Sequence, residues 1–183
     1  MQDMLVRLYD LPEPDLKENE QNGYQIRRAM APDRREVVAW VEKHSGPFAA
    51  GECETAFSHT PISCFLATKG ADIVGYACYD ATAPDFFGPT RVQDSEQGKG
   101  LGRALLLRSL HALKEEGYGY AIIGGVGPAK FYEKCCGAML IPGSDPGIYK
   151  DFLGEMKKGS SEDTKDTEQL RETGRQEASG NGK

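Results

Sequence analysis

The segment QGKGLGRALLLRSLHALKEEG, residues 97–117, joins a glycine-rich loop to a stretch in which leucines recur at helical spacing. Glycines stand at alternate positions 98, 100 and 102, so backbone N–H groups there can approach an anion with no Cβ in the way. The predicted helix places its positive end at this loop, and Lys99 and Arg103 add charge. These features indicate a site that binds a diphosphate.

Two other phosphate-binding loops fit this segment less well. A P-loop needs serine or threonine directly after its lysine, but Gly100 follows Lys99. A dinucleotide-binding loop has a glycine where Arg103 stands and opens the first strand–helix–strand unit, whereas at least three predicted strands precede this loop. The P-loop is therefore excluded, and the dinucleotide-binding fold is a weak match.

The rest of the chain alternates β-rich runs with helical patterns. Predicted strands cover residues 24–30, 63–70, 72–80, 86–92, 120–123, 138–141 and 148–152. Predicted helices open at Pro32, span 51–59, follow the loop as far as Gly117, and span 128–136. A hairpin leading into a strand and then a β–α–β–α unit implies an α/β (α+β) fold, with a mixed sheet and helices on both faces.

A second motif, FYEKCCGA at residues 131–138, follows the loop. The pair resembles the GNAT superfamily of acetyl-CoA-dependent N-acetyltransferases, whose loop reads [QR]-x-x-G-x-[GA] and whose helix-to-strand segment reads F-Y-E-K-x-G-F. The loop of this chain, residues 97–102, fits that pattern at every fixed position. More narrowly, the chain is similar to small stand-alone bacterial members of unassigned substrate.

The resemblance implies a mostly antiparallel sheet of six to seven strands, with a slot where the fourth and fifth predicted strands splay apart. Acetyl-CoA is the expected co-substrate in that slot. The residues that the resemblance assigns to its binding are Val92, Gln97, Gly98, Lys99, Gly100, Leu101, Gly102, Arg103 and Tyr132.

Two groups take catalytic roles by the same resemblance. The backbone N–H of Val92 is expected to polarise the thioester carbonyl. Tyr132 is expected to protonate the departing CoA thiolate or to order the cofactor sulfur, since a phenol with a pKa of about 10 is protonated at neutral pH. The alternative for Tyr132 is an aromatic residue on the core face of a short helix.

The chain departs from the family pattern at two places. Gly125 replaces an asparagine that often stands seven residues before the tyrosine, and residues 86–92 contain no carboxylate to act as general base. Asp80, Asp85 and Asp94 are the nearest candidates in sequence, and the base stays unassigned. A water relay to a backbone carbonyl or a distant carboxylate is the favoured route for the proton.

The expected reaction is direct attack of the amine within a ternary complex. A covalent route would require an activated thiol such as Cys135 or Cys136, and no histidine lies close to them in sequence.

Composition narrows the class of protein. A net charge of −6 without basic, aromatic-interleaved runs argues against nucleic acid as a partner. Five cysteines without a C-x-x-C pair suit a reducing compartment, and the three histidines lack the spacing of zinc sites, so no metal is predicted. No signal-like start and no run of about 18 apolar residues is present. We therefore expect a cytoplasmic protein that is not bound to membranes.

Polar stretches set the expected domain limits. Residues 1–22 are predicted to be an N-terminal extension, 23–154 the acetyltransferase domain, and 155–183 a disordered polar tail. The resemblance places the acceptor pocket at Trp40, Phe48, Phe57 and the loop 142–147.

The expected acceptor is a primary amine of a small molecule or peptide, which the sequence does not name further. Two alternatives stay open: a CoA-binding module without catalysis, and transfer of another acyl group or to an oxygen acceptor. An exposed edge at 148–152 allows a homodimer.

Overall fold

A seven-stranded sheet organises the first of two compact units, Met1–Asp145, and the second unit begins at Pro146. The computed structural model describes residues 1–151 and 153. The strands are β1 (Met4–Arg7), β2 (Tyr24–Arg28), β3 (Cys64–Lys69), β4 (Asp72–Tyr79), β5 (Phe86–Val92), β6 (Tyr120–Ile123) and β7 (Met139–Leu140). They lie in the order β2-β3-β4-β5-β6-β1-β7, and each neighbouring pair is antiparallel except β5 and β6, which are parallel. The predicted mixed, mostly antiparallel sheet is confirmed.

Five α-helices accompany the sheet in the described part of the chain. They are α1 (Lys17–Gln21), α2 (Arg34–Ser45), α3 (Pro47–Ala56), α4 (Leu101–Glu115) and α5 (Ala129–Cys136). Helix α2 stops at Gly46, whose φ of +88° breaks the helix, and the proline that follows opens α3 at a position where its missing N–H costs nothing. Among the described residues, no helix is both long and apolar enough to cross a membrane.

Helices cover both faces of the sheet, because inward positions alternate along its strands. On β3, Phe65 packs into a cluster with the leucines of α4 and with α5, which we call the α4 core. The next residue, Leu66, packs instead with Val37 and Val41 of α2 and with α3, which we call the α2–α3 core. The predicted placement of helices on two faces is confirmed.

The N-terminal residues belong to the sheet, so the expectation that the folded body begins near residue 23 is wrong. Strand β1 lies between β6 and β7, with Met4 opposite both Ile123 and Leu140. Met4, Val6 and Leu8 have no exposed surface. Apolar residues alternate here as in a strand, but β1 is only four residues long and a polar, proline-bearing stretch follows it. The local pattern was therefore too short to predict the strand.

The C-terminal pairing also differs from the prediction. Residues 147–149 form a 3-10 helix in which the Tyr149 N–H donates to the Pro146 carbonyl at 3.1 Å, so the strand predicted at 148–152 is wrong over its described part. The turn chemistry of Pro146 and Gly147 prevails over the β-propensity of Ile148 and Tyr149. Strand β1, rather than a C-terminal strand, pairs with β7. The strand edge on which the homodimer prediction rested is therefore not formed by the described residues 148–151. The predicted tail, 155–183, lies outside the described residues.

A carboxylate on β1 tests this correction. We expect Val6→Asp to lower the free energy of unfolding by several kcal/mol, because it buries a charge at a fully enclosed position opposite Ala121. Arg7→Asp is the matched control, since that side chain is 47% exposed. Urea unfolding followed by circular dichroism measures both. Equal midpoints for the two variants would show that β1 is dispensable.

Candidate active site: the cleft beside β5

A slot opens where strand β5 leaves β6. The two strands pair only at Phe86 with Ile122 and Phe87 with Ile123. Directly after Phe87, two residues of β5, Gly88 and Pro89, stand opposite the single residue Cys78 of β4. Such a bulge bends its strand, and Pro89 has no N–H to offer to a neighbouring strand. Strand β6 ends at Ile123, so β5 continues from the bulge to Val92 without a partner on that side, and the slot expected here lies along this unpaired edge.

A cavity of about 570 Å³ occupies this slot, within the range of small-molecule sites. Strand β5 and the glycine loop form one wall, and α5 forms the other. Of the residues assigned to the cofactor from sequence, those that line the cavity are Val92, Gln97, Gly98, Gly100, Leu101, Gly102, Arg103 and Tyr132. Lining residues that the sequence did not single out as cofactor contacts are Phe87, Thr90, Arg91, Glu96, Leu106, Pro128 and Phe131.

The glycine loop ends as the N-terminus of α4. Gly98 and Gly100 have φ of +78° and +76°, in the left-handed region that favours glycine. Gly100 is the N-cap of α4, and its carbonyl accepts the N–H of Ala104 at 3.0 Å. The N–H groups of the first turn, before Ala104, have no partner within the helix. The cavity is thus bordered by the positive end of a 15-residue helix.

Lys99 does not line the cavity, in contrast to its neighbours in the loop. Its Nζ donates to Glu96 Oε2 at 2.7 Å, and the hydroxyl of Tyr24 donates to the same carboxylate oxygen. The contact with Lys99 lowers the pKa of Glu96, which therefore stays ionised at neutral pH. The cationic side chains that line the cavity are Arg91 and Arg103.

Asn19 of α1 supports the loop from outside the cavity, a contact that the sequence gave no reason to expect. The side chain is 5% exposed, and its Nδ2 donates to the Lys99 carbonyl at 3.0 Å. The same nitrogen would lie 3.6 Å from a Cβ added to Gly100. A side chain of the N-terminal segment thus contributes a hydrogen bond that holds the backbone of the glycine loop.

Removing this support is expected to weaken cofactor binding. Asn19→Ala deletes one hydrogen bond to the loop, worth about 1 kcal/mol, so we expect the Kd for CoA to rise about threefold to tenfold. Asn22→Ala, an exposed asparagine just after α1, is the control and leaves the Kd unchanged. Isothermal titration calorimetry compares them. If the Asn19→Ala variant is fully folded and its Kd for CoA is unchanged, the loop keeps its conformation without the hydrogen bond from Asn19.

The backbone of Val92 faces the slot. The N–H of the next residue, Gln93, donates to the Val74 carbonyl of β4 at 2.9 Å. Because successive N–H groups of a strand point in opposite directions, the N–H of Val92 points away from β4, toward the cleft. The Val92 carbonyl points the same way and accepts a hydrogen bond from Gln97 Nε2 at 3.4 Å.

Tyr132 stands on the opposite wall. Helix α5 carries it between Pro128 and Gly137, whose φ of +65° ends the helix. The ring is 92% buried within the α4 core, 6.3 Å from the ring of Phe87, and it lines the cavity. Tyr132 is thus a core residue that also lines the cavity, and its role as proton donor stays a prediction. Burial raises the pKa of Tyr132 above its usual 10.0, so the phenol is protonated at neutral pH.

The candidate proton acceptors fit less well. Asp80, Asp85 and Asp94 are not among the residues that line the cavity, and Asp94 Oδ1 is bound by Arg91 and Gln97. Glu96 is the carboxylate that lines it. Its lowered pKa makes it a weak base at neutral pH.

The two thiols of α5 are unsuited to nucleophilic attack. Cys135 and Cys136 are both buried. Burial raises the pKa of both thiols, that of Cys136 to about 11. They are therefore protonated at neutral pH, whereas the nucleophile in thiol chemistry is the thiolate.

A second cavity, of about 810 Å³, lies beside α2 and the start of β4. It shares Glu96 with the first cavity. Trp40, assigned to the acceptor pocket from sequence, lines it and stacks on His44 with ring centroids 4.0 Å apart. Phe48 and Phe57 are not among its lining residues.

The model of the acetyltransferase (GNAT) family matches residues 6–138 of this chain. The chain belongs to the GNAT acetyltransferase family. No curated protein matches at a significant level.

Solved structures share the fold. One is the glucosamine N-acetyltransferase region of a fungal multi-domain β-N-acetylglucosaminidase, with a TM-score of 0.63, 13% identity, and coverage of 76% of this chain and 19% of that one. Another is a GCN5-related N-acetyltransferase from Sphaerobacter thermophilus, with a TM-score of 0.56, 21% identity, and coverage of 76% and 48%. This chain thus spans less than half the length of either structure, and at these identities the likeness concerns the fold alone.

Proposed function

We propose that this acetyltransferase binds acetyl-CoA in the cleft beside β5 and transfers the acetyl group to a primary amine of a small molecule or peptide. The observation that carries the proposal is the continuity of the cleft. The slot left where β5 parts from β6 runs directly into the glycine loop at the start of α4, with Tyr132 across from Val92.

The two ends of the cofactor have separate binding groups. The diphosphate lies on the loop, where the free N–H groups of the first turn of α4 and the charge of Arg103 bind anionic oxygens. The pantetheine arm follows β5 and pairs with backbone groups that β6 leaves unpaired. The thioester carbonyl then accepts a hydrogen bond from the Val92 N–H.

The chemistry is direct attack within a ternary complex. The neutral amine attacks the carbonyl carbon, an N–C bond forms, and the negative charge on the oxygen is stabilised by the Val92 N–H. The C–S bond then breaks, and the CoA thiolate takes the proton of the Tyr132 hydroxyl, which solvent restores. The excess amine proton leaves through water. The protonated thiols of Cys135 and Cys136 support this route over an acetyl-cysteine intermediate.

A binding module for acyl-CoA without catalysis is the second candidate. The observation that favours it is the missing base: β5 carries no carboxylate, and Lys99 lowers the pKa of Glu96. The presence of both Val92 and Tyr132 in the lining of the same cavity supports the enzyme over the module.

We also place the protein in the cytoplasm. All five cysteines are free thiols, which suits a reducing compartment. The net charge of −6 does not suit a nucleic acid partner, and it attracts cationic amines.

The test is release of free CoA from acetyl-CoA across a panel of amino acids, polyamines, aminoglycosides, amino sugars and peptides. We expect at least one amine to stimulate release and to appear acetylated by mass spectrometry. Parallel assays with propionyl-CoA, longer acyl-CoAs and alcohol acceptors decide the acyl group and the acceptor atom. Binding of CoA with no turnover on any acceptor supports the module instead.

A further inference from the structure

Three cysteines from separate elements meet inside the α2–α3 core. Cys53 lies on α3, Cys64 on β3 and Cys78 on β4. Their Sγ atoms all lie within 4.8 Å of one another, and none of the three residues has exposed surface. We call them the thiol cluster. It takes no part in the cleft, whose lining does not include these residues.

The fold brings the three together through register and close packing. Cys64 and Cys78 are direct partners in the antiparallel pair of β3 and β4, so their side chains project from the same face. Helix α3 presents small residues to that face, at Ala49, Ala50 and Ala56, and this allows its backbone to approach the sheet. Cys53, on the same side of α3, then reaches the pair.

We propose that the thiol cluster is a binding site for one soft metal ion, copper(I) or zinc. Sulfur ligands at about 2.3 Å from a metal lie roughly 3.8–4.0 Å from one another in tetrahedral or trigonal geometry. Separations of at most 4.8 Å need a contraction of less than about 1 Å to reach this arrangement. Thiolate ligands without oxygen donors select copper(I) and zinc over magnesium or calcium.

Binding of the metal ion releases protons from the cysteine thiols. Each thiol that becomes a ligand loses its proton to water as its S–M bond forms, so affinity for the ion increases with pH. No electron is transferred. The bound ion ties α3 to the β3–β4 hairpin, whose residue Cys78 faces the bulge of β5 at Gly88 and Pro89. Its role is thus structural, and it is independent of the proposed acetyl transfer.

The test uses the full chain, reduced and kept free of oxygen. Copper(I), supplied as its acetonitrile complex, and zinc are titrated separately against a competing chelator, and bound metal is counted by elemental analysis. We expect about one ion per chain, a thiolate-to-metal absorption band in the ultraviolet, and a higher Tm in the presence of the ion. Cys53→Ala, Cys64→Ala and Cys78→Ala are each expected to lose the band and at least about tenfold in affinity.

Cys135→Ala and Cys136→Ala are the matched controls, because both are buried cysteines outside the thiol cluster. They are expected to bind the ion as the wild type does. If the strand variants Cys64→Ala and Cys78→Ala fail to fold, Cys53→Ala alone tests the proposal. Alanine suits the helical position of residue 53, and circular dichroism of this variant without metal confirms that it is folded. Failure of the wild type to bind either ion, or equal binding by Cys53→Ala and the controls, overturns the proposal.

Discussion

Tyr132→Phe lowers kcat for acetyl transfer about tenfold or more, while the Kd for CoA stays within about threefold of the wild type. The substitution removes one hydroxyl and keeps the ring, which packs against Phe87 with centroids 6.3 Å apart. Without the phenol, the CoA thiolate leaves as an anion or takes its proton from water, and both routes raise the barrier. The steady-state rate of CoA release with saturating amine measures this effect.

Tyr120→Phe is the control for that experiment. Tyr120 begins β6 and is 49% exposed, and it is not among the residues that line the cleft. Its kcat is expected to equal that of the wild type. A Tyr132→Phe variant with undiminished kcat shows that another group or water protonates the thiolate, and Tyr132 is then a packing residue only.

Gly100→Ala raises the Kd for CoA by about tenfold or more. A residue with a Cβ at φ of +76° is strained by about 1–2 kcal/mol, and relief of that strain rotates the N–H groups at the start of α4. The added Cβ also lies 3.6 Å from Asn19 Nδ2, which holds the loop. Titration calorimetry with CoA measures the loss.

Gly70→Ala separates this local effect from a general loss of stability. Gly70 has a comparable φ of +61°, lies in the turn between β3 and β4, and has open space around it. Both variants are expected to lose similar free energy of unfolding, but only Gly100→Ala loses CoA affinity. Equal Kd values for the two variants contradict the assignment of the diphosphate to the loop.

Local patterns explain why most of the fold could be predicted. The bounds of β5, Phe86–Val92, and of β6, Tyr120–Ile123, match the sequence interpretation because each run is β-rich and is bounded by turn residues. Strand β1 could not be predicted, since its stability depends on pairing with Ile123 and Leu140, far along the chain. Short strands held by such distant contacts leave little local signal.

In the site, too, residues within local motifs could be predicted and contacts between distant residues could not. The loop glycines and Tyr132 were identified through motifs, and they line one cavity. Their contact with acetyl-CoA stays a prediction. The contact of Asn19 with the loop was not predicted, because it joins residues 80 positions apart. The ion pair of Lys99 with Glu96 was not predicted either, because the motif assigns Lys99 to the cofactor and carries no information on its side-chain partner. The thiol cluster could not be predicted from the sequence, because only the register of β3 with β4 brings Cys64 beside Cys78.

The most direct measurement of the central claim is calorimetric titration of the full chain with acetyl-CoA and, separately, with CoA. The account predicts one site for each ligand, with Kd values of about 1 µM to 1 mM, the range of typical enzyme substrates. It also predicts that CoA competes with acetyl-CoA and that Gly100→Ala weakens both. If the folded chain binds neither acetyl-CoA nor CoA at millimolar concentration, the assignment of the cleft as an acetyl-CoA site is contradicted.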